Sequence, residues 1–308
     1  MSSHTEANRS RTLAALVGLI VVGTLGLVGC GGPEAGPPDR TAFAKVDLHT
    51  HFYYDRSFLT PVLERWRMHG VVLNGGPAET DADRRRWQAI RTMQEQYPDR
   101  FFPVTSFDAS RIGASNFADS GIAQLRRDLA QGARGVKVWK EVGMIIQDSS
   151  GAYVQIDDPR FEPIWTFLAE EGVPVIAHIG DPRAAWQPLD EESPHYSYYA
   201  NNPEYHAYRH PELPRWREII AARDLWLGAN PDLTVIGAHM GSMAHDVSLI
   251  EERLEKYPNF FVDVGGRFPD LENQPRDSVR SFLIEHADRV LYGTDLGTDV
   301  PADEAGED

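Results

Sequence analysis

Two histidines separated by one residue follow a short apolar run close to residue 50. The segment reads KVDLHTH at residues 45–51, which places His49 and His51 at alternate positions. Alternate side chains of a β-strand project from one face, so both imidazoles, and Asp47 with them, would point the same way. Such a pair is half of a metal site, or it arises by chance in a chain with 11 histidines. The remainder of the chain must supply the other half.

Three more polar residues stand at the ends of apolar runs: His178 in VIAHIGD, His239 in GAHMG and Asp295 in YGTD. Taken singly, each histidine is typical of a hydrogen-bonded core residue, and the aspartate of a turn or a helix cap. Together with the HTH pair they form four independent placements at run ends. Imidazole and carboxylate donors suit Zn²⁺ and similar divalent cations that keep an open position for water. The set therefore predicts a metal site.

Two cationic residues also lie near run ends. Lys137 stands near the end of RGVKVW, and Arg267 follows the run in DVGGRF. Lys137 could bind a substrate carboxylate or belong to an ion pair behind the site. Arg267 could bind a substrate anion or form an exposed salt bridge.

These residues need elements that bring them together, and short apolar runs alternate with seven amphipathic helical patterns from residue 44 onward. This alternation predicts a parallel sheet of the α/β class, and the number of runs indicates a (β/α)₈ TIM barrel. A doubly wound open sheet is the alternative, but no GxGxxG turn follows the first run. In a barrel all the strand ends face one mouth. The eight strand-like runs are residues 44–49, 70–75, 101–107, 134–139, 173–178, 233–239, 259–265 and 289–295.

Two connections depart from the barrel pattern. The segment 180–213 is long and rich in tyrosine and histidine. It could form a lid or substrate wall at the catalytic face, or an ordered excursion packed by its own tyrosines. Few residues follow Asp295, so we expect the helix after the eighth strand to be missing.

The N-terminal segment has the pattern of a secretory signal. Arg9 and Arg11 precede an uncharged apolar run at residues 12–28. The following LVGC resembles a bacterial lipobox, which implies that Cys30, the single cysteine, is acylated; an uncleaved membrane anchor or a buried cysteine is the alternative. We thus expect a lipoprotein signal peptide at 1–29, a Gly/Pro-rich tether at 30–43 and the barrel at 44–308. The protein would be extracytoplasmic and lipid-anchored to the bacterial cell membrane or outer membrane.

The net charge of −16 argues against nucleic acid as a partner, because an acidic surface repels phosphates. The expected partners are a small-molecule substrate and, through Cys30, the membrane.

The ordered set of strand-end residues resembles the amidohydrolase superfamily from about Lys45 to Asp295. It is most similar to the amidohydrolase-related (amidohydrolase 2) family, in particular the branch that includes aminocarboxymuconate semialdehyde decarboxylase. The resemblance implies that His239 acts as an acid or base. It implies a single metal ion, most simply Zn²⁺, with the ligands His49, His51, His178 and Asp295.

In two-metal members of the superfamily, such as phosphotriesterase, a carboxylated lysine on the fourth strand bridges the ions. Lys137 matches that position, so a second ion is implied if Lys137 is carboxylated.

The function expected from this resemblance is hydrolysis of a C–N or C–O bond in a small molecule by a metal-activated water. His239 would move the proton, and Asp295 would be both ligand and proton acceptor. A metal-dependent decarboxylase or hydratase is the alternative, with Lys137 and Arg267 binding a carboxylated substrate. A binding lipoprotein without catalytic activity is the third possibility.

Overall fold

The computed structural model describes residues 41–52, 56–73 and 81–298. The predictions for the signal peptide, for Cys30 and for residues after 298 lie outside the described residues. Among those described, no helix is both long and apolar enough to cross a bilayer.

The described chain forms one curled sheet in which every neighbouring pair of strands is parallel, in the order β8-β7-β6-β5-β4-β3-β2-β1-β9. All eight predicted runs overlap a strand, and a ninth strand, β9, follows the last run. The strands are β1 Lys45–Phe52, β2 Met68–Leu73, β3 Phe101–Ser106, β4 Val136–Val138, β5 Val175–Ala177, β6 Val235–Gly237, β7 Phe260–Asp263, β8 Val290–Leu291 and β9 Leu296–Thr298.

The barrel is closed by the segment that contains β8 and β9. β8 pairs with β7, whereas β9 pairs with β1. Between them, the Leu48 amide donates to the Tyr292 carbonyl at 3.0 Å, and the Asp295 amide donates to the His49 carbonyl at 2.8 Å. Residues 290–298 thus act as one interrupted eighth strand, which confirms the predicted (β/α)₈ class.

Helices separate the strands along the chain, as the alternating pattern predicts. In the helix after β6, Asp246 caps the N-terminus by accepting from the Ser248 amide at 3.0 Å, while Val247, Ile250 and Leu254 form its buried face. The α-helices of five or more residues are α1 Thr60–Arg65, α2 Asp81–Gln96, α3 Phe117–Ala130, α4 Glu162–Glu171, α5 Tyr196–Asn201, α6 Trp216–Ala229, α7 Val247–Lys256, α8 Phe268–Glu272 and α9 Arg276–Glu285.

The first helix is shorter than its pattern predicts. The amphipathic run over residues 58–70 indicates one helix, but α1 ends at Arg65 and β2 already begins at Met68. Arg67 has a φ of 52°, in the left-handed region where a right-handed helix cannot continue.

Apolar side chains from seven strands fill the lumen of the barrel. This core contains Leu48, Val71, Leu73, Val104, Ile176, Ile236, Ala238 and Leu291, with Val46, Phe102 and Phe261 packed against it. The layer between sheet and helices is a separate and larger cluster, to which β4 contributes Val136 and Val138. Lys137 lies between those two residues, so strand alternation directs its side chain to the lumen, beside its pairing partner Ile176.

The long segment after β5 has a small core of its own. Ala185, Tyr199 and Ala207 are buried together, and the Trp186 indole donates to the Pro214 carbonyl at 3.0 Å. His195 Nε2 lies 2.8 Å from Asp270 Oδ1, which joins this segment to α8. The segment is therefore packed by its own aromatic residues and also held to α8.

Candidate metal centre

Three predicted ligands converge at the mouth of the barrel. His49 Nε2 lies 3.1 Å from His51 Nε2, and these two atoms lie 3.3 and 3.2 Å from Asp295 Oδ1. His49 is fully buried, and His51 is 8% exposed. Asp295 reaches this point from a left-handed backbone with a φ of 62°.

This arrangement fits a divalent cation. A single ring proton on His51 could satisfy only one of the three contacts, whereas a cation between the atoms would satisfy all of them. Ligands bound about 2.05 Å from a tetrahedrally coordinated ion lie roughly 3.3 Å apart. The observed separations match that spacing, so the mouth contains a divalent-metal site.

Asp263 orients His49 and was missed in the sequence. Its Oδ2 lies 2.9 Å from His49 Nδ1, and its Oδ1 accepts from the backbone amides of His239 and Gly265 at 3.1 and 2.9 Å. A carboxylate that accepts from Nδ1–H leaves the lone pair on Nε2, the atom that faces the metal position. Asp263 ends β7, so the strand-end criterion used for the histidines could have found it.

The charge state of Asp263 is fixed by these contacts. Burial raises the pKa of its carboxyl, but the charge and the hydrogen bond of His49 outweigh burial, so that the pKa is lowered overall. Asp263 is thus an anion at the centre of the site.

His239 follows β6 in a left-handed conformation, with φ 57° and ψ 46°. Its Nδ1 lies 2.7 Å from the Gly265 carbonyl and can only donate there, which leaves the lone pair on Nε2. The ring lies 4.7 Å from that of His49 and 4.4 Å from that of His178. His239 therefore presents a proton-accepting nitrogen beside the metal position.

His178 is brought to the same mouth but not into the closest group of donors. Its Nε2 is buried without a hydrogen-bond partner among the described residues, and it lies 3.5 Å from Asp181 Oδ1. Lys140 holds Asp181 through contacts of 2.8 and 3.0 Å. A buried ring nitrogen that makes no hydrogen bond within the described ranges is available to bind an ion.

Lys137 is the buried cation of the site. The residue is 1% exposed. Its ammonium has no hydrogen-bond partner in the described part of the chain and lies 5.0 Å from the centre of the Trp139 ring. Burial lowers its pKa to about 8, against the opposing charges of Asp263 and Asp295. Most of this group is still protonated at neutral pH.

Arg267 lies at the start of α8 and is half-buried. Its Nη1 donates to the Gly266 carbonyl at 2.8 Å, and its Nε is buried without a partner. None of the carboxylates in the described ranges pairs with it, so the salt-bridge alternative is not found there.

Asp47 does not point into the mouth with His49 and His51, although strand alternation predicts that it should. It accepts from the Thr294 amide and hydroxyl at 3.0 and 2.6 Å and from the His49 amide at 3.1 Å. A register irregularity between Asp47 and Thr50 breaks the alternation. Asp47 therefore joins β1 to the closing segment. It is not part of the donor group that His49 and His51 form at the mouth.

The neighbouring histidines are held neutral. Burial lowers the pKa of His51 to about 4, and it lowers the pKa values of His178 and His239 well below the usual 6.5. Neutral imidazole is the form that binds a metal ion, so these residues need not lose a proton when an ion enters.

Comparison with known proteins places this geometry in a family. A search of curated proteins finds no match to the sequence. Among solved structures, 2,6-dihydroxybenzoate decarboxylase from Rhizobium aligns with a TM-score of 0.52 and 20% identity, over 82% of this chain and 87% of that one. The same enzyme bound to 2,6-dihydroxybenzoate aligns with a TM-score of 0.52 and 19% identity, over 82% and 88%. At such identity the likeness shows the shared fold.

The family model described as amidohydrolase matches residues 36–304, which include every strand of the barrel and all the residues of the mouth. This confirms the resemblance inferred from the motifs. The chain belongs to the amidohydrolase family, and the mouth of its barrel contains a divalent-metal site.

Proposed function

We propose that the protein is a decarboxylase that removes CO₂ from a small carboxylated substrate at a single divalent cation. The observation that carries this proposal is Lys137, a buried ammonium with no hydrogen-bond partner among the described residues, at the bottom of the mouth. A buried ammonium without a hydrogen-bond partner is costly even near the charges of Asp263 and Asp295, unless a ligand accepts its hydrogen bonds. A substrate carboxylate would accept them.

The surroundings of Lys137 suit an unsaturated or aromatic acid. A small cleft, partly open to solvent, is lined by Lys137 together with Phe107, Trp139, Glu141 and Val142. Trp139 also faces His51, with ring centres 5.4 Å apart. Arg267 adds a second positive charge that acts on His178 and His239. The fold shared with 2,6-dihydroxybenzoate decarboxylase adds support.

The proposed ligands are His49, His51, His178 and Asp295, and their imidazole and carboxylate donors favour Zn²⁺. A cation bound there would polarise a substrate oxygen. Lys137 and Arg267 would hold the carboxylate. When the bond to that carboxylate breaks, CO₂ leaves and the remaining carbon needs a proton. His239 Nε2 would take this proton from solvent and pass it to the carbon, because Nδ1 is engaged by Gly265.

Hydrolysis of a C–N or C–O bond is the second candidate function. The observation that favours it is again Lys137. An amine with a pKa of about 8 has a neutral fraction that can react with CO₂, and the resulting carbamate could bridge two ions. His49, His239 and Asp263 offer donor atoms within 4.8 Å of one another for such a second ion.

The test is CO₂ release from a panel of aromatic and unsaturated carboxylic acids by the Zn²⁺-loaded protein. We expect release from at least one acid, and we expect Lys137→Met to raise KM at least about tenfold, because a charge-assisted contact to the substrate is lost. Lys256→Met, at an exposed lysine of α7, is the matched control and should behave as wild type.

Turnover of amides or lactones without CO₂ release would reject the decarboxylase in favour of the hydrolase. In that case wild type should contain two ions per chain and Lys137→Met one. The decarboxylase predicts one ion in both.

We further propose that Cys30 is lipidated and that the enzyme is anchored outside the cytoplasm. The sequence pattern of residues 9–30 is the support. Cys30→Ser should abolish labelling by a fatty-acid analogue and shift the protein from the membrane fraction to the soluble fraction. Unchanged labelling and fractionation would reject the anchor.

A further inference from the structure

The turn that carries His239 is a single left-handed turn. His239, Met240, Gly241 and Ser242 have φ values of 57, 58, 59 and 61° in succession. Three of these four residues have side chains, and L-residues disfavour this conformation because the Cβ crowds the following carbonyl. The turn therefore persists only if neighbouring groups hold it.

Three side chains anchor the turn. Asp263 accepts from the His239 amide at 3.1 Å. The Ser242 hydroxyl lies 2.9 and 3.0 Å from the Ile179 and Gly180 carbonyls, directly after His178. Arg223 Nη1 donates to the Gly241 carbonyl at 2.5 Å. Of these anchors, Asp263 and Ser242 belong to the mouth, whereas Arg223 reaches the turn from α6.

Arg223 is an unusual residue for this position. It is 1% exposed, and its guanidinium lies 5.2 Å from the centre of the Phe260 ring. Its charge is paired with Asp224 Oδ1 through Nε and Nη2 at 3.2 and 2.6 Å, and Arg253 contacts the other oxygen of Asp224 at 3.1 Å. Burying an arginine is costly, and an apolar residue would fill the same volume.

The close approach of Arg223 depends on Gly241. A Cβ built on Gly241 would lie 2.9 Å from Arg223 Nη1 and 3.1 Å from Phe260 Cζ. The backbone of the turn is thus in direct contact with the guanidinium, and the planar fork divides its donors between the turn and Asp224.

We propose that Arg223 is a positioning residue for His239: from behind the sheet it fixes the left-handed turn that aims the imidazole at the reacting carbon. The role of His239 in proton transfer rests on the proposed function. Arg223 itself touches neither the substrate nor the metal ligands, so its loss should leave binding intact and impair the chemical step.

The test compares Arg223→Met with Arg253→Met in the Zn²⁺-loaded protein. Both variants remove one arginine from Asp224, but only the first removes the contact to the turn. We expect Arg223→Met to lower kcat by about tenfold to hundredfold, the effect of a misplacement on the order of 1 Å. KM should stay within about threefold and the zinc content should not change. Arg253→Met should keep the wild-type kcat. Equal kcat values in wild type and Arg223→Met would overturn the proposal.

Arg223→Lys is a second variant for the case in which Arg223→Met does not fold. Its single ammonium is expected to stay with the charged Asp224 and to leave the Gly241 carbonyl, so kcat should fall while thermal stability is largely kept. If Arg223→Met does not fold, a wild-type kcat in Arg223→Lys overturns the proposal.

A readout independent of activity is the ¹⁵N spectrum of the His239 ring, assigned with His239→Gln. Wild type and Arg253→Met should show the Nδ1–H form, whereas Arg223→Met should lose it. Should the wild type turn over no carboxylic acid, the proposed function fails, and the spectra still decide the role of Arg223. An unchanged His239 signal in Arg223→Met would contradict that role.

Discussion

Asp263 illustrates how much one side chain decides at the metal site. It accepts from the His49 ring through one oxygen and from the amides of His239 and Gly265 through the other. The amide group of an asparagine has one accepting and one donating end, so it cannot reproduce these contacts.

We therefore expect Asp263→Asn to weaken metal binding. If the accepting end serves the two backbone amides, the donating end forces His49 to protonate Nε2, and the lone pair that faces the ion is lost. Loss of such a partner lowers metal affinity by about 10–100-fold. Zinc titration against a competing chelator measures this. Asp277→Asn, on the exposed face of α9, should bind as wild type, and an unaltered affinity in Asp263→Asn would contradict the assignment.

At the scale of elements, closure of the barrel depends on the packing of β1 against the closing segment, residues 290–298. The chain passes so close to β1 that a Cβ on Gly293 would lie 2.8 Å from His49 Cβ. Nothing lies within 4 Å of a Cβ on Gly113, in a loop after β3.

We expect Gly293→Ala to lower the free energy of unfolding by about 1–3 kcal/mol, because either strand must shift to relieve the overlap. The zinc affinity should fall with it, since His49 would move. Gly113→Ala is the control and should unfold like wild type. Urea denaturation followed by circular dichroism separates the two, and equal midpoints would show that the joint is not tightly packed.

The sequence predicted the strands well, because the alternation of apolar runs with helical patterns is sufficient to locate them. The eight apolar runs became strands, and His49, His51, His239 and Asp295 reached one mouth because parallel strands share their carboxyl ends.

The directions of individual side chains were predicted less well, because they depend on local backbone geometry that the alternation of apolar and polar residues does not encode. The irregularity in β1 separated Asp47 from the two histidines, and the left-handed backbones at His239 and Asp295 aim those side chains. The position of Asp263 at the end of β7 was visible in the sequence, but its pairing with His49, 214 positions away in the chain, was not.

At the scale of the whole molecule, the buried histidines link folding to pH. The pKa values of His51, His178 and His239 are lowered by burial in the folded protein, to about 4 in the case of His51. The unfolded chain therefore binds more protons than the folded one once the pH falls below the ordinary histidine pKa of about 6.5. The free energy of unfolding must then decrease as the pH falls.

We expect the metal-free protein to lose stability between about pH 6.5 and pH 5. Each of the three histidines contributes up to about 1.4 kcal/mol per pH unit in this window. Asp263 and Asp295, whose pKa values are lowered overall, act only below about pH 4. Urea midpoints at a series of pH values measure the slope, and His178→Gln should reduce it, leaving the contributions of His51, His239 and of His245, whose pKa is also lowered by burial. A flat profile between pH 7 and pH 5 would contradict the buried neutral histidines.

The central claim is that the mouth of this barrel holds a divalent metal ion between His49, His51 and Asp295. The most direct measurement is the metal content of the purified protein by mass spectrometry, for wild type and for Asp295→Ala. We predict a stoichiometric divalent metal, zinc in preference to manganese, in the wild type, and its loss from a folded Asp295→Ala variant. A wild type that binds no divalent metal, or an Asp295→Ala variant that retains it with unchanged affinity, would contradict the account.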